Sequence, residues 1–473
     1  MYGLINRIKR LLDEIESLLY QEAGLIKMLK IRKGKIEFPC NITEITDGYS
    51  DFNNGSIWSE KEFSNYALFR FDIDIQDVSG DEDVFLHIST NQGGGHNMVR
   101  PQMLLIAADG VIQGLDTNHE YVRLDDSAKG IRRYYVYAFS GIKQKTPYGK
   151  DVDLDVADGV RLYVDVQKRN RLLNDFYFNV KTAYTYLHHF DEGSFEYQKI
   201  LHIVSRSLTY LDLRNPYTQE FNESVTAANK YIQRELYDKN YSGTGNATLV
   251  GHTHIDLAWL WQYEHTKDKA VRSFATEVKL LDEYPEHRFM SGQAQLYEYV
   301  KNQTPALFAK IKALIEQGRW EAEGAMWVEP DMNLCFGESI IRQILYGKKF
   351  FIKEFGVDCK VLWLPDVFGY SASLPQILKK SGIKYFMTAK LGTNEKNRFP
   401  FDTFYWKGID GSRVLSHLTS YLPGVYNPDI HSGEILTGWR NYAQKDINDD
   451  ILIPFGYADG GGGPTYEQIE EIK

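Results

Sequence analysis

Four stretches of this chain combine imidazole, carboxylate and aromatic side chains at spacings that could do chemistry. The first is His252-Thr253-His254-Ile255-Asp256-Leu257-Ala258-Trp259. In extended chain alternate residues share a face, so His252, His254 and Asp256 are expected to project together. Imidazole and carboxylate suit a borderline ion such as zinc, and a catalytic metal site keeps one position open for substrate. Ordinary polar residues at a strand end produce the same pattern, but its place directly after an apolar run favours the metal reading. The second stretch, Trp363-Leu364-Pro365-Asp366-Val367-Phe368-Gly369-Tyr370, sets an acid against aromatic rings. An aspartate here also suits the N-cap of a following helix. The third is Phe455-Gly456-Tyr457-Ala458-Asp459, followed by four glycines and Pro464. Missing side chains let backbone approach a ligand closely, though a plain turn has the same composition. No Lys-Ser or Lys-Thr follows, so the glycines are not a Walker phosphate loop. The fourth, Trp327-Val328-Glu329-Pro330-Asp331, holds two acids and a tryptophan, for which a structural or substrate-orienting role is expected. His188 and His189 have no acid at ligand spacing and read as surface or packing histidines.

These stretches matter only if something sets them side by side. From about residue 246 the runs NATLVG, HRFMSG, RWEAEGAMW, CKVLWLP, KYFMTAK, RVLSHLTS and DILIPFG alternate with helical segments such as LYEYVKNQTPALFAKIKALIEQG, ESIIRQILYGKKFFIKEFG and LPQILKKSG. Such alternation predicts a parallel sheet, open or closed into a barrel, with chemistry at the C-terminal strand ends. All four stretches follow candidate strands. A pair of carboxylates there, one nucleophile and one acid/base, is what retaining glycoside hydrolysis requires.

Before that region the pattern differs. Residues 1–30 read as one amphipathic helix, with Leu4, Ile8, Leu11, Leu12, Ile15, Leu18 and Leu19 on its apolar side. YALFRFDIDI, VFLHIST, QMLLIAA, YYVYAFSGI, VRLYVDV and FYFNV, separated by turn signals including NQGGG, predict an antiparallel sandwich. FEYQKILHIVSRSLTYLDL and ESVTAANKYIQREL return to helical spacing. The expected organisation is an N-terminal helix over 1–35, a β-sandwich over 36–188, a helical connector over 189–244 and an α/β domain over 245–473.

A net charge of −10 with no compensating basic stripe argues against nucleic acid and anionic membranes as main partners. Three cysteines without CxxC spacing indicate neither a disulfide framework nor a thiolate metal site. No stretch resembles a signal peptide or a membrane span, and the cytoplasm is the expected location. An aromatic share of 14% suits both a β-rich core and stacking against sugar faces.

The motifs GHTHIDLAWLW, LWLPDVFGYSASLPQIL and PFGYADGGGGPT, in this order, resemble glycoside hydrolase family 38, the α-mannosidases. WVEPDMNLCFGESIIRQILYG and GLDTNHEYVRL fit the same family, and the likeness is strongest to its cytosolic, vacuolar and bacterial branch. The resemblance covers nearly the whole chain. It implies a (β/α)7 barrel with one zinc ion at its mouth, held by His254, Asp256 and Asp366. It further implies Asp366 as nucleophile, Asp459 as general acid/base with a raised pKa, and Trp259, Phe368 and Trp327 as substrate-binding aromatics. Two carboxylates about 5–5.5 Å apart would fit retention. The implied substrate is an oligosaccharide bearing terminal α-linked mannose.

Three features depart from the family pattern. Cys335 and Phe336 stand where proline and serine are usual, and Ala458 where a glycine usually precedes the acid. The family's fourth zinc ligand is a histidine in a downstream motif, expected beyond residue 473 along with a helical bundle and C-terminal β-domains. On that basis the barrel is expected to be C-terminally truncated. The chain alone is expected to be poorly active unless a complementing C-terminal chain, or assembly as a homo-oligomer, supplies what is missing. Competing readings are a metal-dependent carbohydrate deacetylase or amidohydrolase, and a non-catalytic glycan-binding remnant.

Overall fold

The computed structural model describes residues 2–60, 64–75, 80–90, 99–124, 130–142, 159–239, 245–393, 396–397, 399–419, 425–428 and 430–473. The NQGGG turn expected at 91–95 lies outside them.

Helix α1 (Tyr2–Ser17) buries Ile8, Leu12 and Ile15, one turn apart. It stops well short of the expected residue 30. Tyr20 onward instead forms β1 (Tyr20–Leu25), paired antiparallel with residues 165–169, and then β2 (Met28–Lys33). Leu18 and Leu19 form the turn that closes α1, and from Tyr20 a ladder with a strand far along the chain replaces the helix.

Next come β3 (Ser50–Asn53), β4 (Ile57–Ser59), β5 (Tyr66–Ile75), β6 (Glu82–Ser89), β7 (Gln102–Ala107), β8 (Gly110–Leu115), β9 (Tyr121–Arg123), β10 (Gly130–Phe139), β11 (Val160–Arg161) and β12 (Tyr163–Asn170). They build a sheet ordered β1-β12-β6-β9, a larger one ordered β3-β2-β5-β10-β7-β8, and the small pair β11-β4. Alternation on β5 is plain: Phe69, Phe71, Ile73 and Ile75 are buried, while Asp72 and Asp74 face out. Phe69, Phe71, Leu105 and Val136 of the larger sheet share one apolar cluster with Leu86, Ile88 and Val164 of the smaller. The larger sheet's opposite face is apolar too. Leu68, Leu104, Ile106, Tyr135 and Tyr137 join the core of the C-terminal half.

Helices α2 (Arg171–Leu187), α3 (Phe195–Ser207) and α4 (Gln219–Ile232) pack with α1 around a third core. FYFNV, expected as a strand, lies inside α2. Phe176, Tyr177, Phe178 and Val180 are all buried, and with Leu173, Ala183 and Leu187 most of them fall at helical spacing, a period that a five-residue window does not reveal. The side chain of Asn170 accepts a hydrogen bond from the Leu173 N–H and starts that helix, so the helical region begins ahead of the expected 189.

The C-terminal half runs β13 (Asn246–His252), α5 (Tyr263–Glu283), β14 (Phe289–Ser291), α6 (Ala294–Gln303), α7 (Pro305–Glu316), β15 (Trp320–Ala322), α8 (Gly337–Phe355), β16 (Val361–Trp363), α9 (Leu374–Lys380), β17 (Tyr385–Thr388), β18 (Thr403–Lys407), β19 (Arg413–Leu418), α10 (Ser432–Asn441), β20 (Asp450–Phe455) and α11 (Tyr466–Ile472). All seven expected strands are present, and β18 is an addition. The single helix expected over 296–318 is two, because Pro305 cannot donate to the preceding turn and starts a new helix.

Strands β20-β13-β14-β15 are parallel neighbours, and a parallel bridge between Gly324 and Leu362 leads on to β16-β17-β19. Among the described residues no ladder joins β19 to β20. The free edge of β19 is taken by β18, which pairs with it antiparallel. Hydrogen bonding therefore stops short of a closed seven-stranded barrel. The strands still curve around a cavity of about 560 Å³, lined by Val250, Met290, Trp363, Met387, His417 and Leu452 among others.

Candidate active site

Strand β13 ends at His252, four residues before Asp256. The indole N–H of Trp363 donates to His252 Nε2 at 3.2 Å, so His252 is engaged by β16 and does not join the two residues after it. The expected grouping of His252 with His254 and Asp256 is not found, because the strand pairing that would align them stops at His252 and Trp363 takes up its ring nitrogen.

His254, Asp256 and Asp366 do meet. One ligand atom from each lies within 4.8 Å of the others. His254 Nε2 is 3.4 Å from Asp256 Oδ1 and 3.7 Å from Asp366 Oδ2, yet it is a buried atom with no hydrogen-bond partner among the described residues. The other ring nitrogen is pinned, with Nδ1 2.9 Å from Glu329 Oε2. A carboxylate behind an imidazole fixes its tautomer and turns the remaining nitrogen toward a metal. The nitrogen and the two carboxylates are a donor set that a divalent cation fits. Without one, burial opposes protonation of His254, but the charges of Glu329 and Asp256 outweigh it and raise its pKa well above the usual imidazole value.

Glu329 holds two parts of the site together. Its Oε1 accepts the backbone N–H of Asp366 at 2.7 Å while Oε2 faces His254. Burial raises the Glu329 pKa against the opposing pull of His254. Asp331 is different. Its carboxylate accepts the N–H groups of Asn333 and Leu334 and shapes its own exposed turn. Trp327 is partly buried, donates to Gln295 Oε1 at 3.0 Å, and meets Phe350 edge-on. Trp259 and Phe368 are exposed at 44% and 74%, as open rings at a rim would be.

Asp459 approaches this group through Tyr426. The Tyr426 hydroxyl donates to Asp459 Oδ1 at 3.3 Å, and its ring lies 5.5 Å from that of His254. Burial, with Asp459 and Asp366 nearby, raises the Tyr426 pKa well above that of a free phenol and keeps the hydroxyl a donor. Neither Tyr426 nor Lys390 was expected from sequence. Lys390 Nζ is 2.8 Å from Asp366 Oδ1, 5.0 Å from the Phe368 ring centre and 5.1 Å from that of Tyr426. A lysine just past the fifth parallel strand was a signal that could have been read. Tyr426 sits in a segment without pattern.

The four glycines serve helix α5, not an open ligand cleft. Gly460 O accepts from Lys269 Nζ at 3.3 Å and Arg272 Nη2 at 3.0 Å, and the Gly462 N–H donates to Ser273 Oγ at 2.9 Å. At Gly463 (φ +79°) a Cβ would stand 2.2 Å from Glu277 Oε1, so only glycine fits.

With this geometry in hand, relationship to known proteins is direct. Residues 244–473 match the glycosyl hydrolases family 38 N-terminal domain. Residues 244–473 belong to glycosyl hydrolase family 38. This chain is similar to curated relatives from several organisms. Alpha-mannosidase G of Dictyostelium discoideum is 35% identical over 374 residues, covering 78% of this chain and 34% of that protein. The alpha-mannosidase of Saccharomyces cerevisiae is 39% identical over 263 residues, 53% of this chain and 24% of that protein. Alpha-mannosidase 2C1 of Homo sapiens is 44% identical over 225 residues, 47% of this chain and 21% of that protein. The chain thus spans about a third or less of the relatives it matches. A solved alpha-mannosidase from Enterococcus faecalis V583 aligns with 46% of this chain and 26% of its own at 18% identity and a TM-score of 0.38, too distant to carry weight. Among the described residues no helix is long and apolar enough to cross a membrane.

Proposed function

We propose that this chain carries the machinery of a retaining α-mannosidase that removes terminal α-linked mannose from oligosaccharides, with one zinc ion held by His254, Asp256 and Asp366. The observation that supports it most is the unpartnered, buried His254 Nε2 facing two carboxylates, with Asp459 tied to the same rim by Tyr426. When bound, the ion would grip sugar hydroxyls and favour ring distortion toward an oxocarbenium-like transition state.

Asp366 serves as nucleophile. Its carboxylate oxygen bonds to the anomeric carbon as the glycosidic C–O bond breaks, and the departing oxygen takes a proton from Asp459. Asp459, now a carboxylate, accepts a proton from water. The water oxygen attacks the same carbon from the face the aglycone left, the bond to Asp366 breaks, and configuration is retained. Glu329 holds the Asp366 backbone in place throughout. The exposed rings of Trp259 and Phe368 stack on the sugar's apolar face, and Trp327 orients the rim behind them. Cys40, Cys335 and Cys359 are free thiols, which fits a reducing cytoplasmic location.

The test is hydrolysis of an aryl α-mannoside by the purified chain with and without zinc, beside an Asp366→Asn variant. Zinc-dependent turnover that disappears in the variant supports the reading. Turnover that persists in the variant, or hydrolysis of acetylated sugars in place of mannosides, overturns it.

A further inference from the structure

The sequence GLDTNHEYVRL belongs to the sheet domain, yet its polar residues are buried against the loop that carries Asp459. Gly114, near the end of β8, lies so close to α5 that a Cβ there would stand 2.3 Å from the Arg272 carbonyl oxygen. Its own carbonyl accepts from Thr276 Oγ1 at 3.2 Å. Just beyond, Asp116 Oδ2 is 3.1 Å from Arg272 Nη1, and Asp116 Oδ1 is 2.9 Å from His119 Nδ1. His119 Nε2 lies 2.8 Å from the Pro464 carbonyl oxygen. Asp116, His119, Lys269 and Arg272 are all at most 6% exposed.

Both ring nitrogens of His119 face acceptors, a carboxylate and a carbonyl, so making both bonds requires two N–H groups and a positive charge. The glycine run is therefore gripped at both ends. Arg272 and Lys269 hold the Gly460 carbonyl, and His119 holds the Pro464 carbonyl. A single carboxylate, Asp116, pairs with Arg272 and His119 together. Gly460 follows Asp459 directly, and four successive glycines at φ between +79° and +121° have no side chains to fix the loop themselves. The backbone closes on itself, with Tyr457 and Gly463 exchanging N–H···O bonds at 2.8 Å, and the side chains that anchor this closed loop to the rest of the molecule come from α5 and the sheet domain.

We propose that Asp116 and His119 are positioning residues for the Asp459 carboxyl, so that the sheet domain sets the aim of the acid/base through the glycine loop. The inference rests on reading Asp459 as the general acid/base. A buried ionic group in a merely structural role would affect every substrate alike. One that aims the acid affects only those that need a proton on the leaving oxygen.

The experiment compares the full chain with His119→Leu, His119→Gln and Asp459→Asn on two α-mannosides, one with a dinitrophenyl leaving group and one with an alkyl leaving group. In His119→Leu we expect kcat on the alkyl mannoside to fall at least about tenfold more than on the dinitrophenyl mannoside, with little change in KM. His119→Gln keeps a donor toward the Pro464 carbonyl and recovers part of the loss. Equal losses on both substrates, with Asp459→Asn still selective for the activated one, overturn the proposal alone. An Asp459→Asn variant indifferent to leaving group overturns the acid/base reading itself. Amide hydrogen exchange gives a second readout independent of turnover. Faster exchange over 456–464 in His119→Leu, with β13 peptides unchanged, supports the proposal, and unchanged exchange over 456–464 overturns it.

Discussion

His254 Nδ1 stands 2.9 Å from Glu329 Oε2, while the opposite corner of the same ring faces Asp256 and Asp366 with no hydrogen bond of its own. The glutamate therefore aims the imidazole. Glu329→Gln keeps size but removes the charge behind the ring, and its one amide oxygen can serve only one of the two N–H groups that face the glutamate. Zinc affinity, read by competition with a chromogenic chelator, should drop about 10–100-fold. Affinity equal to that of the unaltered chain would show that His254 needs no such support.

Phe368 is an exposed ring two residues from Asp366, with the Lys390 ammonium 5.0 Å from its centre. Phe368→Ala should leave unfolding free energy within about 0.5 kcal/mol of the parent. It should also lower kcat/KM on an aryl α-mannoside by roughly tenfold, as loss of a stacking face would. A stability loss without a kinetic effect would make the ring structural.

At Gly463 the left-handed backbone and the Glu277 carboxyl act together. Burial raises the Glu277 pKa well above the usual carboxylate range, and an added methyl would have to displace this fully buried carboxyl. Gly463→Ala should cost about 1–3 kcal/mol in denaturant unfolding. Gly337→Ala is the control. No atom lies within 4 Å of its added Cβ and its φ is not positive, so that change should be neutral or slightly stabilising.

The sheet domain has its own pH signature at His87, which faces Asp165 at 2.8 Å and Glu120 at 3.7 Å and stacks on Tyr121. Burial pulls its pKa down, but the hydrogen bond to Asp165 and the nearby Glu120 carboxylate prevail and raise it from 6.5 to about 9. A pKa raised in the folded state contributes stability that is full below pH 6.5 and lost as pH climbs through about 9. Subtracting the unfolding free energies of His87→Gln from those of the parent at pH 6, 8 and 10 should therefore give a difference that shrinks with rising pH. A constant difference would contradict the assignment.

Much of the site was legible because its signals are local. A run such as CKVLWLP followed by Asp366 announces a buried parallel strand with an acid at its end, and His254 and Asp256 follow NATLVG in the same way. What could not be read depends on partners far along the chain. His252 and His254 look alike in sequence, and Trp363 on the one and Glu329 on the other separate their roles. FYFNV has a strand's composition over five residues, and its helical period shows only when Leu173, Ala183 and Leu187 on either side are counted with it. β18 was missed because its burial is shallow throughout, and its effect, capping the edge of β19, is purely topological. The glycine run looked like room for a ligand because the side chains that fill that room lie on α5, nearly two hundred residues earlier.

The second apolar face of the larger sheet carries an implication for biosynthesis. Leu104, Ile106, Tyr135 and Tyr137 belong to a core whose other wall, led by α5, emerges from the ribosome much later. At about 5–20 residues per second the sheet waits on the order of ten seconds with that wall missing. During the delay a greasy, strand-lined surface is open to other nascent chains. Production of this protein should accordingly be sensitive to the supply of chaperones acting at the ribosome, and to anything that slows translation between β12 and α5.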